Sequence, residues 1–192
     1  MAAKPWSVAF WLLVWQGSGM ALAAAVPHGG LLLASPVQAA LRLLELLPSP
    51  AFWRAVGNSS VRIFGGFLLS CALAVPLAAL AAGHPRLRDL LAPPVAVVKA
   101  TPVASFIILA LVWLDARSLS LFISALMVFP PVYLNVLEGL RQTDPKLLEL
   151  ARVYRIPFRR RVRGIYLPQV LPYFRSASSL ALGLCWKAGA AA

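Results

Sequence analysis

Long uncharged runs of apolar residues alternate along this chain with short segments that hold nearly all of its charge. A helix of roughly 20 residues is long enough to cross a hydrocarbon core about 30 Å thick. The pattern therefore predicts an all-α fold, a polytopic bundle of transmembrane helices. We assign five spans, at residues 6–26, 63–83, 93–114, 118–137 and 167–192.

Three of these spans need comment. The third reaches spanning length only if its helix begins near Pro93 or Pro94, which places Lys99 inside one end. The fifth is interrupted by Arg175 and Lys187, so hydropathy supports it least. The first has a competing interpretation as a signal peptide, with Lys4 before the apolar stretch and alanines at 21–25. Its apolar stretch is about twice a typical signal-peptide core, however, and we favour a retained span.

Composition excludes a water-soluble globule. Apolar residues make up 60% of the 192 positions and charged residues 12%, whereas a soluble domain has roughly 45–50% and about 25%. The net charge of +12 is typical of a nucleic-acid-binding protein. The basic residues lie between the apolar runs, however, so we expect no nucleic acid as a partner.

The distribution of lysine and arginine predicts the orientation, because short cytoplasmic loops of membrane proteins are rich in both. With the N-terminus inside, Lys4, the 83–92 loop and the 139–165 loop bring eleven basic residues to the inner side, against four outside. We therefore expect a multi-pass protein of the cell's inner membrane with a cytoplasmic N-terminus. Because each span crosses the membrane once, five spans that begin inside leave the end of the chain outside. We expect a sixth span beyond Ala192.

Segment 139–165 has the pattern of two short amphipathic helices. Asp144 and Pro145 are typical of a helix start, and Pro157 separates the second helix from the first. Each helix has about ten residues, fewer than the roughly 12–15 at which an isolated helix becomes marginally stable. Each must therefore dock, either on anionic lipid headgroups or on a cytoplasmic partner. The apolar stripe of the first helix is Leu147, Leu150, Ala151 and Tyr154, with Glu149 placed to pair with Lys146 and Arg152.

This segment resembles the cytoplasmic EAA loop of the permease subunits of ABC importers, whose pattern is E-A-A, three residues, G, nine residues, I, any residue, L-P. Leu150 replaces the middle alanine, and Arg155 replaces the glycine that a helix end with positive φ favours. The matching positions are Glu149, Ala151, Ile165, Leu167 and Pro168. Further short motifs in residues 50–192 are similar to the nitrate/sulfonate/taurine-type branch: Ser60–Arg62, Lys99–Pro102, Gly139–Arg141 and Leu171–Tyr173.

The resemblance implies a type I ABC importer permease, with a first helix and outer segment at 1–50 and a permease core at 51–192. The implied partners are cytoplasmic ABC ATPase subunits, an extracytoplasmic solute-binding protein, a second permease copy forming a homodimer, and membrane lipid. The ATPase is expected to grip the loop through Leu147, Glu149, Leu150, Ala151, Arg152, Tyr154, Arg155, Ile165, Leu167 and Pro168. No glycine-rich phosphate cradle with its lysine occurs in the chain, so ATP hydrolysis is assigned to the partner.

No catalytic residue, metal site or cofactor is expected, because His28 and His84 are isolated in the sequence. The solute path is expected near Lys99, Thr101, Ser105 and Asn135. Buried hydroxyls also bond their own helix, and a lysine near a span's end also extends to the interface, so both alternatives stay open. In the second span, small residues recur every four positions and predict a packing face: Gly66, Ser70, Ala74, Ala78 and Ala82.

Two functions remain after this reasoning. One is a permease subunit of an ATP-driven importer for a small solute, expected to be an anion such as nitrate, sulfonate or taurine. The other is a polytopic membrane protein that is not part of an ABC system, such as a secondary transporter or scaffold, with a basic cytoplasmic loop. Stable association with an ATPase distinguishes them.

Overall fold

The computed structural model describes residues 4–25 and 33–192, apart from the side chains of Ala116 and Arg117. His28 lies outside the described residues. In the described ranges every regular element is helical, which confirms the all-α prediction. The α-helices are α1 (Pro5–Ala25), α2 (Pro36–Leu46), α3 (Pro50–Gly83), α4 (Pro85–Ala100), α5 (Val103–Ala110), α6 (Ala116–Arg141), α7 (Pro145–Val153), α8 (Phe158–Arg161) and α9 (Leu167–Ala191), with a π-helical segment at Val162–Tyr166 between the last two.

Three of the described helices are long and apolar enough to cross a membrane, at Pro5–Ala25, Pro50–Gly83 and Ser118–Arg141. The pair α4 and α5 makes a fourth if it is taken as one broken span, bent by 101°. The fifth predicted span does form a helix, α9, of 25 residues. Arg175 and Lys187 reduce its hydropathy, so length and composition support three or four spans rather than five.

The third predicted span begins elsewhere than expected. Its helix begins at Pro85, not near Pro93 or Pro94, and both of those prolines lie inside α4. The helix then breaks at Thr101, which is extended at φ −88° and ψ 132°. Pro102 explains this break, since a proline disfavours helical geometry in the residue before it. Lys99 therefore lies at the end of a 16-residue helix, next to the break.

The residues form two compact units, Met1–Val56 and Gly57–Ala192. In the first unit, Ser35 caps α2 by accepting from the Gln38 N–H, and Gln38 bonds back to the Ser35 N–H. The Trp15 indole N–H donates to the Ala34 carbonyl at 3.0 Å and so ties α1 to the residues that begin α2.

The second unit is built on close contacts between small residues. The predicted packing face of α3 is confirmed at Gly66, Ser70, Ala74 and Ala78, all buried, but its last member is Ala81, and Ala82 is exposed. A helical turn has 3.6 residues, so positions spaced by four rotate gradually away from the buried face. By the end of α3 the buried position is therefore 81 rather than 82. A corresponding set on α9 is Ala177, Ala181, Cys185 and Gly189, buried where α9 packs along α6.

Hydroxyl groups hold α6 and α9 together where these backbones approach. Ser120 Oγ donates to the Gly189 carbonyl at 2.6 Å, and Ser124 Oγ donates to the Cys185 carbonyl at 3.4 Å. Bonds of this kind between helices satisfy the hydroxyls in a bilayer interior, where water is absent. The α6–α9 pair is thus the centre of this unit: the broken span packs against α6, and the residue that caps α7 is hydrogen-bonded to α9.

Candidate functional site

The first helix of the predicted EAA loop forms as expected. Asp144 is its N-cap, and the Asp144 carboxylate accepts from the Lys146 N–H at 2.8 Å. Pro145 occupies the first helical position, where its missing N–H costs no hydrogen bond. The Asp144 N–H donates to Gln169 Oε1 on α9 at 2.9 Å, so the start of α7 is tied to the last helix.

The residues of the apolar stripe of α7 differ in whether they face the protein or the surface. Ala151 is 1% exposed, which means that it packs against the chain itself rather than lying on a free surface. Leu150 is 53% exposed and Tyr154 72% exposed, and Val153, which the sequence reasoning did not include, is 73% exposed. The small alanine lets α7 lie close to the bundle, while Leu150, Val153 and Tyr154 form an apolar tip. We use "the α7 tip" for these three residues.

Arg155, which stands where the EAA pattern has glycine, adopts a left-handed backbone conformation. Its φ is +47°, and it is the one non-glycine residue with positive φ among those described. The Ile156 N–H bonds to the Ala151 carbonyl at 2.9 Å, and the Arg155 N–H bonds to the Arg152 carbonyl at 3.1 Å. These two bonds define a Schellman ending of α7, in which the left-handed residue satisfies the last carbonyls. The arginine is therefore held in a strained geometry.

The expected ion pairs on α7 do not form. Glu149 makes no pair with Lys146, Arg152 or any other described residue, and the pairs found in the described ranges are Arg42–Glu45 and Arg88–Asp89. Exposed pairs contribute little to stability, so their absence costs the helix little. It leaves the Glu149 carboxylate available on the surface.

The second predicted helix is not a separate element. After Pro157 the chain enters α8, widens into the π-helical segment and continues directly into α9. The Leu167 N–H bonds to the Val162 carbonyl, five residues back. Pro168 explains the widened turn, because it offers no N–H to the carbonyl four residues earlier. Ile165, Leu167 and Pro168 thus lie at the entry to α9.

Side chains that the sequence reasoning did not assign fix the start of the loop. Tyr173 Oη donates to Gln142 Oε1 at 2.5 Å, and Gln142 Nε2 donates to Glu138 Oε1 at 2.6 Å. A Cβ on Gly139 would lie 2.9 Å from the Tyr173 ring, so only glycine fits beneath this tyrosine. Glu138 and Gln142 are one helical turn apart, but no sequence spacing reveals that Tyr173 reaches them.

A cavity of about 460 Å³ brings together three of the four predicted path residues. Lys99 and Thr101 enter it from the break in the broken span, and Asn135 enters it from α6. Pro102, Pro130 and Pro131 also line it. Ser105 does not belong to this lining and is exposed on α5. The cavity thus forms beside the break between α4 and α5 and beside the two prolines inside α6.

The polar groups of this cavity differ in what they offer a solute. Thr101 Oγ1 donates its proton to the Val97 carbonyl at 2.8 Å, and Asn135 Nδ2 donates to the Pro131 carbonyl at 2.8 Å. Both side chains therefore bond a carbonyl of their own helix, which is the alternative to a role in the solute path. The Lys99 ammonium makes no ion pair with any described residue, which leaves it as the cavity's main donor.

A second cavity, of about 330 Å³, shares Lys99 and Leu134 with the first. It runs along α4 and α6 and is lined by Arg88, Asp89 and Tyr133. Tyr133 is 1% exposed, and its hydroxyl has no hydrogen-bond partner within the described part of the chain. Two basic side chains, Arg88 and Lys99, against one carboxylate give this second cavity a net positive lining.

No cluster of three or more histidine, cysteine or acidic side chains suited to a metal ion occurs in the ranges 4–25 and 33–192. Cys71 and Cys185 are free thiols.

Comparison with known proteins gives one family and several relatives. Residues 74–192 match the family described as binding-protein-dependent transport system inner membrane component. The chain is 29% identical over 179 residues, 91% of its length, to the putative aliphatic sulfonates transport permease protein SsuC of Bacillus subtilis. It is 25% identical over 138 residues, 71% of its length, to the bicarbonate transport system permease protein CmpB of Synechococcus elongatus. It is 29% identical over 91 residues, 47% of its length, to the nitrate import permease protein NrtB of the same species.

These alignments cover 62%, 49% and 33% of the three relatives, so the chain spans no more than about two thirds of each.

Proposed function

The chain belongs to the family of inner membrane components of binding-protein-dependent transport systems, and on this basis we propose that it is the permease subunit of an ATP-driven importer of a small anion. It is a multi-pass membrane protein. Sulfonate, bicarbonate and nitrate, named for its relatives, are the candidate solutes, together with taurine.

The cavity at Lys99 is the observation on which the anion proposal rests. An ammonium group without an acidic partner, in a cavity lined otherwise mainly by apolar side chains, attracts a small anion more strongly than it would in water. Lys99 is exposed at the end of α4, and an ionisable side chain within a span is rare and is a marker of a solute or ion path.

The α7 tip is the proposed docking surface for the ATPase. Its three apolar side chains are exposed although the helix is too short to be stable alone, and a protein groove would bury them. Glu149 and Arg152 beside the tip are unpaired and are suited to fix its register in that groove. We further propose the remaining partners of such a system, an extracytoplasmic binding protein and a second copy of the permease, and a cytoplasmic N-terminus.

Solute uptake tests the role of Lys99. The full-length permease, assembled with its ATPase and binding protein in proteoliposomes, should import at least one of nitrate, bicarbonate or an alkanesulfonate on addition of ATP. Lys99→Gln should reduce the uptake rate about tenfold or more, since one charge interaction of roughly 1.4 kcal/mol is lost. Lys99→Arg keeps the charge and is the matched control. Equal uptake by wild type and Lys99→Gln would exclude the proposed path.

ATPase binding tests the α7 tip separately. Leu150→Glu should weaken the complex between permease and ATPase by about tenfold or more, because it places a charge at the centre of an apolar contact. Leu150→Met keeps the apolar surface and should bind as wild type does. Ala151→Asp is unsuitable here, since Ala151 is buried in the chain and its replacement would displace α7 itself. Unchanged binding by Leu150→Glu would contradict the docking proposal.

A further inference from the structure

A third cavity, of about 490 Å³, lies between α7 and the ends of two membrane-length helices. Ala79, Ala82 and Gly83 line it from the end of α3, and Leu140 lines it from the end of α6. Leu148 of α7 lines its opposite side. Because α3 and α6 both qualify as membrane spans, the cavity lies at a membrane boundary, whichever way the protein is oriented.

The lining of this cavity is apolar. Phe158, Val162 and Tyr166 complete it, and no charged side chain contributes. Most of its lining atoms are apolar, and covering apolar surface with a hydrocarbon chain in place of water is favourable. The surface therefore favours a hydrocarbon chain over water or a small polar solute.

Arginines surround the same segment. Four of the five residues from 159 to 163 are arginine, and none forms an ion pair with a described residue. Arg161 differs from the other three, which are exposed, because it is half-buried. Its guanidinium lies 6.0 Å from the centre of the Phe158 ring, a residue of the cavity lining, and its Nε is buried with no partner in the described ranges.

We propose that this cavity binds one anionic phospholipid, with an acyl chain against Phe158 and Val162 and the phosphate on Arg161. Charge complementarity supports this occupant: four unpaired cations beside an apolar cavity match a ligand that joins a hydrocarbon chain to a negative headgroup. A protein segment would match the apolar lining as well, but it would need several acidic side chains at one end. The site is independent of which solute the protein imports.

Lipid binding by the full-length permease tests this site. The purified protein is titrated in mild detergent with dioleoylphosphatidylglycerol and, separately, with dioleoylphosphatidylcholine, and the bound lipid is counted by native mass spectrometry. We expect the anionic lipid to bind about tenfold more tightly than the zwitterionic one. Arg161→Gln should weaken binding of the anionic lipid by about fivefold, the contribution typical of one arginine near a membrane surface.

Arg160→Gln is the matched control, because Arg160 is exposed and lies on the face of the helix away from Phe158 and Val162. It should change the ratio of the two affinities less than twofold, roughly the effect of distant surface charge. Arg161→Lys keeps the charge and should retain the preference for the anionic lipid, and an unchanged melting temperature of Arg161→Gln excludes misfolding as the cause of its loss. Ala82→Phe fills the cavity and should weaken both lipids alike.

Equal affinity for the two lipids, or the same preference in wild type and Arg161→Gln, would overturn the proposal. So would lipid binding that survives Ala82→Phe unchanged, since the acyl chain would then lie elsewhere. If the ATPase covers this cavity instead, Arg161→Gln and Ala82→Phe should weaken the ATPase complex while lipid binding shows no preference, and that result would likewise overturn the lipid assignment.

Discussion

Arg155 occupies a left-handed backbone position that favours glycine. A left-handed backbone costs a side-chain-bearing residue roughly 1 kcal/mol or more, because its Cβ approaches the following carbonyl oxygen. Glycine has no such cost, and the hydrogen bonds from Arg155 and Ile156 hold the position in this geometry in any case. The resemblance to the EAA pattern marked this position as one that favours glycine, and the positive φ gives the reason.

We therefore predict that Arg155→Gly raises the stability of the full-length protein by about 1 kcal/mol. A thermal unfolding curve of the purified protein measures it, as an increase in melting temperature. Arg152→Gly is the matched control, because Arg152 lies inside α7 and its replacement should lower stability by about the same amount. A melting temperature for Arg155→Gly at or below that of wild type would show that the positive φ is not a strain in solution.

Close packing of small residues decides the arrangement of the longer elements. On α3, a Cβ at Gly66 would lie 2.5 Å from the Leu121 carbonyl oxygen and 2.8 Å from the Ser124 Cβ, whereas one at Gly65 would lie 3.6 Å from the Leu121 side chain. The first two contacts are impossible without a shift of backbone, and the third is ordinary van der Waals contact. Of these two adjacent glycines, Gly65 has room for a side chain and Gly66 does not.

The corresponding prediction compares two single-methyl changes. Gly65→Ala should raise stability by up to about 1 kcal/mol, because alanine favours helix more than glycine does. Gly66→Ala should lower it by about 1–3 kcal/mol, since α3 and α6 would have to separate. Melting temperatures of the two purified variants give the comparison. Equal changes in both would mean that α3 does not approach α6 at Gly66 as closely as the structure has it.

At the level of elements, sequence reasoning succeeded where the signal is local. Asp144 and Pro145 specify the start of α7 through their own side chain and ring, and the four-residue repeat of α3 follows from helical geometry. It failed where distant segments decide the outcome, as in the bond from Tyr173 to Gln142. It also missed two local effects of proline: Pro102 breaks the helix at Thr101, and Pro168 widens the turn that joins α8 to α9.

At the scale of the whole molecule, the two charged segments 83–92 and 139–165 are expected on the same side of the membrane. Ala79, Ala82 and Gly83 share a cavity with Leu148 and Phe158, which requires the ends of α3 and α7 to lie at one face of the bundle. The excess of lysine and arginine in these segments predicts that this face is cytoplasmic. The predicted boundary between a first helix with its outer segment at 1–50 and a permease core at 51–192 stays a prediction.

Single-cysteine labelling in intact cells measures this orientation. After replacement of Cys71 and Cys185 by alanine, Arg86→Cys and Arg159→Cys should react with a membrane-impermeant maleimide only once the cells are opened. Arg42→Cys should react in intact cells and serves as the control for access from outside. Labelling of Arg86→Cys and Arg159→Cys from opposite sides would contradict the shared face, and labelling of both from outside would reverse the predicted orientation.

The direct passage from α8 through the π-helical segment into α9 has a mechanical consequence. On one side of Pro157 the chain is a short helix closed by a strained arginine, and on the other α8 continues without a loop into α9, which packs along α6. The widened turn at Val162–Tyr166 therefore lies between the arginine-rich segment and the α6–α9 contact, where it can absorb a displacement of that segment. A change that restores regular α-helical bonds in this turn would pass the displacement on to α9.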